Sequence, residues 1–355
     1  MRTGGAGTYA VGITRALVRR AVNEYVLFVP PAYRDFWGAQ VPSGATLVTC
    51  GPHPKQRGLR VLFEQLRLPA YAARYGVGTI FFPLAVAPRW HRPRAVVTVL
   101  DVLLLSRATD FPWHKRLYLR WVYGRVARRA DHVVTISQFC KGDIATRLKV
   151  PLERITVASP GVDAAFLNPP TAPAGLELPD RYVLSVAGAY PHKRLDVLLD
   201  AFNVIAREDP DLYLVMAGTH TGSKDAVAEL RARAVAAEAG RRIVFLPPME
   251  REALPAVFTR AAALVSASEF EGFGIPVLEA MAAGCPVAAS PAQAVVEMLD
   301  GHGFVGRDFT VDALVDAIRA ALGAGGDTVL QARQWARSRY TWDAAARALE
   351  AVFAS

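Results

Sequence analysis

Residues Ser266 to Pro286 read SASEFEGFGIPVLEAMAAGCP. Two carboxylates, Glu271 and Glu279, stand eight positions apart with Gly272, Phe273, Gly274 and Pro276 between them, a pattern that no periodic core element produces. Just ahead, the apolar run Ala261 to Val265 has the character of a buried parallel strand. The two glycines make Ser266 to Ile275 a loop, because they admit backbone conformations that other residues resist. Pro276 suits the first turn of a helix whose body is Val277 to Ala283, and Gly284 with Pro286 ends it.

A strand, a glycine-bearing loop and a helix start make an anion site, since unpaired N–H groups and the positive end of the helix dipole face whatever lies beyond the strand. Phosphate is the obvious guest. Glutamates aimed at a phosphate would repel it, so Glu271 and Glu279 are read as acceptors for neutral vicinal hydroxyls. The implied ligand is part phosphate and part polyol, as a nucleotide sugar is.

The run Glu271-Gly272-Phe273-Gly274-Ile275-Pro276-Val277-Leu278-Glu279-Ala280-Met281-Ala282-Ala283-Gly284, with Pro286-Val287, resembles the E-x7-E signature of retaining glycosyltransferases of family 4. The resemblance implies the GT-B fold: two Rossmann-like, doubly wound α/β domains facing an interdomain cleft. It also implies that Glu279 binds the nucleotide ribose, that Glu271 contacts the donor sugar near its reacting carbon, and that the backbone at Phe273, Gly274 and Ile275 holds sugar and diphosphate.

At 355 residues the chain is long enough for two domains. Its 52% apolar and 21% charged content is that of a globular protein, without a compositional case for disorder. No apolar run reaches the roughly 18 residues of a membrane span, and the start lacks a signal peptide's apolar core, so the expected location is cytoplasmic. Cys50, Cys140 and Cys285 are odd in number, far apart and in apolar surroundings, which suits buried reduced thiols; neither they nor the seven histidines fall at metal-ligand spacing. No metal and no cofactor is expected beyond the donor itself.

Charge is uneven. Residues 1 to 150 carry 23 Lys and Arg against 7 Asp and Glu, a net +16, whereas 151 to 355 carry 18 against 25. The first half therefore attracts anions. Charge alone gives only nonspecific affinity for nucleic acid, and no recognition motif accompanies it, so no nucleic-acid partner is expected.

Near the start, Gly4-Gly5-Ala6-Gly7-Thr8-Tyr9 opens a helix running to about Arg20, which is half of a phosphate-binding element; the strand that should precede it is missing. The family places a strand before such a loop, so Gly4 and Gly5 become donor-binding candidates and the N-terminal sheet is expected to lack its first strand. Short apolar runs follow at Tyr25 to Val29, Thr46 to Thr49, Thr79 to Phe82, Ala95 to Leu100, His132 to Ile136 and Ile155 to Ala158, with helical patterns at Leu59 to Tyr75, Trp113 to Arg129 and Gln138 to Lys149. The expected organisation is an acceptor-side domain over 1–168, a linker over 169–177, a nucleotide-sugar-binding domain over 178–340, and a helix over 341–355 that crosses back onto the first domain, the last by resemblance.

Gly188-Ala189-Tyr190-Pro191-His192-Lys193-Arg194 follows the first strand of the second domain. Cations beside a helix N-terminus oppose its dipole and need another reason, which a departing diphosphate supplies. Lys193 aligns with the family lysine that contacts the donor phosphates. Ala189 stands where many members carry arginine, and Arg194 is the nearest candidate to replace it. Val96 to Asp101 aligns with the family's H-D motif, with Leu100 in the histidine's place and Asp101 retained; Asp101 is read equally as a catalytic carboxylate and as a cap on the following turn. The aromatic and basic stretch Phe111 to Arg129 is read either as a helix packing its aromatics inward or as a peripheral contact with anionic membrane, where lipid-linked acceptors lie.

The resemblance thus implies transfer of a hexosyl group, mannosyl-like, from a nucleotide-sugar donor to a saccharide or lipid-linked acceptor with retention of configuration. A non-catalytic sugar-nucleotide-binding homologue acting as a partner subunit is the second reading, motivated by Leu100, Ala189 and the missing strand.

Overall fold

Short β-branched and apolar runs alternate with amphipathic helical segments along the chain, and every strand pairing in the computed structural model is parallel. The structure describes all residues except 1–3, 42, 55, 85–92, 104–123, 125–126 and 169–175. The contacts divide the chain into two units, Val162–Tyr340 and the remainder, Met1–Gly161 with Thr341–Ser355.

In the C-terminal unit the strands are β7 (Tyr182–Val186), β8 (Tyr213–Ala217), β9 (Ile243–Phe245), β10 (Ala263–Ser266), β11 (Val287–Ala289) and β12 (Phe304–Val305). Their spatial order, β12-β11-β10-β7-β8-β9, is the doubly wound order. The first strand of the unit, β7, lies centrally between β8 and β10, and the winding direction reverses there. The inner strands β7, β8, β10 and β11 are buried along nearly their whole length, as expected for a sheet covered on both faces, while the edge strands β9 and β12 are partly exposed. The helix Leu195–Glu208 supplies one apolar layer through Leu198, Leu199, Phe202 and Ile205, which join Leu214, Met216, Leu314 and Ile318 in a single core.

In the N-terminal unit the strands form two sheets rather than one. β1 (Tyr25–Val29) pairs with β2 (Ala45–Thr49), while β3 (Thr79–Phe82), β4 (Arg94–Thr98), β5 (His132–Thr135) and β6 (Ile155–Val157) make a separate four-stranded sheet in chain order. The helix α1 (Gly5–Arg20) precedes β1, and no described strand joins β1 to β3. The helix Trp342–Ala354 packs on α1: the Trp342 ring fills the space beside Gly12, Arg20 bonds Asp343 at 2.6 Å and Glu350 at 2.9 Å, and Tyr9 lies 6.0 Å from Trp342 ring to ring. Thr341 caps that helix by accepting a hydrogen bond from the Ala344 N–H.

The single helix expected over Leu59 to Tyr75 is two, α2 (Arg34–Gln40) being followed by β2, α3 (Arg57–Leu66) and α4 (Leu68–Arg74). Pro69 is the reason: it has no N–H to continue the ladder of α3 and sits instead in the first turn of α4. All three cysteines are buried thiols outside any disulfide. The helix expected over Trp113 to Arg129 falls largely outside the described residues. Among those described, no helix is long and apolar enough to cross a membrane.

Candidate functional site

The carboxyl ends of β7 and β10 are adjacent, and between them opens a recess lined by Ser185, Ala187, Lys193, Ser268, Glu271 and Pro276. This is the switch point of the sheet, where the connections from two neighbouring strands run in opposite directions and leave a crevice. The positions that line it are the two stretches singled out from sequence, one after each strand.

Lys193 and Glu271 meet there. The Lys193 Nζ lies 2.6 Å from Glu271 Oε1, and Ser268 Oγ donates to the same oxygen at 2.8 Å. Both side chains are about four-fifths buried, at 18% and 17% exposed, so the pair is held more firmly than a surface ion pair would be. Beside it Arg194 bonds Glu269 and, at 3.3 Å, Asp196, while the Glu269 N–H donates to the His192 carbonyl at 2.9 Å. These contacts tie the loop after β10 to the loop after β7. Ser268 and Glu269 were not among the residues chosen from sequence, although they lie inside the quoted stretch; their partner loop is 75 residues away.

The helix Ile275–Ala283 begins at Gly274, whose φ of +97° is a left-handed conformation that L side chains rarely adopt. Gly274 O accepts from the Val277 and Leu278 N–H groups. The N–H groups of Phe273, Gly274 and Ile275 donate to no acceptor among the described residues, and Pro276 has none to offer. The Phe273 side chain turns inward, 3% exposed and edge-on to Tyr340 at 5.3 Å. Its burial aims the loop backbone, not the ring, outward. Gly188, after β7, has no room for a side chain: a Cβ there would stand 2.3 Å from Thr221 Oγ1 and 2.6 Å from the Tyr190 ring.

Glu279 sits one turn deeper and has a different partner. It is 4% exposed and bonded by Arg251, whose guanidinium also bonds Asp163 at 2.7 Å and lies 5.6 Å over the Phe166 ring. Burial pushes the Glu279 carboxyl up to about 7, with Arg251 pulling the other way. Thus the two glutamates, read from sequence as a pair of hydroxyl acceptors, each hold a cation: Lys193 for Glu271 and Arg251 for Glu279. Arg251 carries no local signal of this role, because its acid lies 28 residues away and Asp163 lies 88 away.

Of the remaining candidates, Asp101 follows β4 and accepts from the Leu103 N–H at 3.0 Å, the turn-capping geometry open to it from sequence. Gly4 and Gly5 lie at the start of α1, with open space where a Gly4 Cβ would stand. These three belong to the N-terminal unit, and the others to the C-terminal one.

Residues 172–339 match the model described as glycosyl transferases group 1, and residues 3–166 match that described as glycosyltransferase family 4. The chain is 32% identical over 256 residues to the D-inositol 3-phosphate glycosyltransferase of Salinispora tropica, covering 64% of this chain and 52% of that protein. It is 26% identical over 231 residues to the O-antigen chain mannosyltransferase B of Escherichia coli, covering 62% and 59%. The chain spans about half the length of the curated relatives it matches. Among solved structures it resembles Anabaena Alr3699/HepE, crystallised in complex with UDP-glucose, with a TM-score of 0.74 at 16% identity over 100% of this chain and 97% of that one. A doubly wound C-terminal unit with the acidic loop at its switch point and a parallel α/β N-terminal unit, matched by the group 1 and the family 4 models respectively, make this chain a member of the family 4 glycosyltransferases with the GT-B fold.

Proposed function

We propose that the protein transfers a hexosyl group, mannosyl-like, from a nucleotide-diphosphate sugar to a saccharide or lipid-linked acceptor, with retention of configuration. The observation that carries the reading is the Lys193–Glu271 pair, set between β7 and β10 beside a helix start with open N–H groups. In this reading the diphosphate lies against the N–H groups of Gly274 and Ile275 and takes Lys193 as its counter-ion. Glu271, released from the ammonium, accepts hydrogen bonds from the hydroxyls of the donor sugar. As the sugar–phosphate bond breaks, charge accumulates on the diphosphate, and Lys193 with the helix dipole stabilises it where it develops. Lys193 supplies the cation that a metal would otherwise bring, so the reading assigns no metal.

The nucleoside diphosphate leaves the anomeric carbon and the acceptor hydroxyl attacks that carbon on the same face, its proton passing to the departing diphosphate. Glu279 and Arg251 complete the nucleotide side of the site, and the basic N-terminal half serves the acceptor. The relative named for O-antigen chains, together with the family, supports a bacterial polysaccharide or glycolipid product.

Differential scanning fluorimetry with GDP, UDP and their hexose conjugates, followed by incubation of labelled donors with lipid and saccharide acceptors, tests the reading. Stabilisation by one nucleotide family and transfer from its sugar are expected. Neither stabilisation nor turnover with any common donor would refute it.

A further inference from the structure

Arg194 stands where local chemistry asks for another residue. Four non-glycine residues among those described have a positive φ, and three of them, Ala21, Lys149 and Asp300, close the C-terminal ends of helices, where such a turn is common. Arg194, at φ +46°, instead opens one: it follows the tight turn Pro191–Lys193 and is the N-cap of the helix Leu195–Glu208, its carbonyl accepting from the Leu198 N–H. Glycine or asparagine takes that conformation with less strain. The helix dipole disfavours a cation at that end, and at 29% exposure the guanidinium has lost most of its water. Backbone strain, an opposed dipole and desolvation at one position point to something that the side chain does.

From sequence, Arg194 is the candidate for a phosphate contact that Ala189 cannot make. Its surroundings speak against that use. The guanidinium bonds Glu269, from the loop after β10, and at 3.3 Å both carboxylate oxygens of Asp196 in the first turn of its own helix. One cation between two carboxylates leaves a net negative charge, which a diphosphate would meet as repulsion. The link that Arg194 does make is between loops. It directly follows Lys193, Glu269 lies two positions before Glu271, and the Glu269 N–H donates to the His192 carbonyl at 2.9 Å. The Arg194–Glu269 bond thus runs beside the Lys193–Glu271 bond and joins the same two loops, across 75 residues of chain.

We propose that Arg194 is a positioning residue, whose bond to Glu269 keeps Glu271 aimed at the donor sugar while Lys193 serves the diphosphate. In the transfer reading, on which this depends, the diphosphate draws Lys193 away from Glu271 and so removes one of the bonds between the loops. The groups bonded at Glu269 have no part in holding the donor in that reading, and their bonds persist when Lys193 is engaged. The placement of Glu271 matters most in the transition state, because a small displacement of a group that must meet the reacting carbon costs rate more than it costs binding.

Arg194→Gly is the test, since glycine keeps the backbone turn and removes the guanidinium. Steady-state transfer from GDP-mannose or UDP-glucose, whichever the parent uses, should show kcat lowered by at least ~10-fold with the donor KM within ~3-fold of the parent's. Calorimetric affinity for the matching GDP or UDP should likewise stay within ~3-fold. Glu269→Gln leaves the guanidinium and the backbone turn in place and should lower kcat similarly. The double variant should be no slower than either single one, because the same bond is lost in all three. A fall of ~10-fold or more in nucleotide affinity in Arg194→Gly, or a rise in Glu269→Gln, would overturn the proposal in favour of a phosphate contact. An unchanged kcat in both single variants would overturn it while leaving the transfer reading intact. No transfer by the parent from any donor would instead sink the transfer reading, and the positioning role with it.

Discussion

Replacing Arg251 by Met should destabilise the protein in a way that depends on pH with a sign the structure dictates. Arg251 is the cation beside Glu279, a carboxyl 4% exposed in the middle of the helix Ile275–Ala283. Burial raises that carboxyl from its ordinary 4.5 to about 7, and the charge of Asp163 adds to the rise while Arg251 opposes it. A carboxyl whose pKa is raised on folding binds its proton more tightly in the folded chain. Its contribution to stability is therefore complete below about pH 4.5 and is lost as pH climbs through about 7. That separation corresponds to ~3 kcal/mol. Removing the guanidinium extends the window above pH 7. At pH 8 the variant must keep an unpaired carboxylate buried or protonate it, and breaking such a pair costs ~3–5 kcal/mol. Because the folded carboxyl already titrates at about 7 with Arg251 in place, only about one pH unit of that cost is expressed at pH 8, ~1.4 kcal/mol beyond the lost contacts, and a deficit of ~2 kcal/mol is expected there.

At pH 5 Glu279 is neutral in both proteins, and the deficit should fall to ~1 kcal/mol, for the lost bonds to Asp163 and the contact with Phe166. Urea denaturation of parent and variant at pH 5 and pH 8 measures the difference, with the titrations of distant groups cancelling between them. Glu279→Gln added to Arg251→Met should recover ~1.4 kcal/mol at pH 8, since the orphaned charge is gone. An equal deficit at both pH values, or a double-mutant cycle without coupling, would refute the reasoning.

Three further outcomes follow from the site and its scaffold. Lys193→Ala should weaken nucleoside diphosphate binding by ~10- to 100-fold in calorimetry, because the ammonium is the nearest cation at the recess, whereas Glu271→Gln should leave nucleotide affinity within a few-fold and lower transfer by at least ~100-fold. Gly188→Ala should cost ~1–3 kcal/mol and lower nucleotide affinity, as its Cβ would collide with Thr221 and Tyr190; a thermal melt with and without nucleotide reads both effects. Gly12→Ala should cost ~1–3 kcal/mol in a denaturant melt by driving a methyl into the Trp342 ring, 2.3 Å away, and should raise hydrogen exchange in the helix Trp342–Ala354.

The sequence by itself determined what depends on residues close together in the chain. Apolar runs marked the six described strands of the N-terminal unit and β10 ahead of the acidic loop, because strands of a parallel sheet ask for apolar and β-branched residues irrespective of what lies opposite. Pro276 and Gly284 bounded the helix after the acidic loop through their own backbone preferences, and Lys193 was conspicuous as a cation at a helix start. The family-bearing stretch was legible for the same reason: both its glutamates, its glycines and its proline lie within nine positions. Pro69, equally local, marks the break between α3 and α4 inside an apolar pattern that runs through both helices.

Tertiary structure alone decided the pairings. Lys193 meets Glu271 across 78 residues, Arg251 meets Glu279 and Asp163 across 28 and 88, and Gly12 receives Trp342 from the far end of the chain. It also decided that the N-terminal strands split into two sheets and that the leucines of α3 face outward. A side chain's periodicity reports that a helix has two faces, and its composition reports the charges each face carries. Which face turns toward the core, and which acid a buried arginine neutralises, depend on the free energy of removing each group from water in the assembled fold, a quantity that no window along the chain contains.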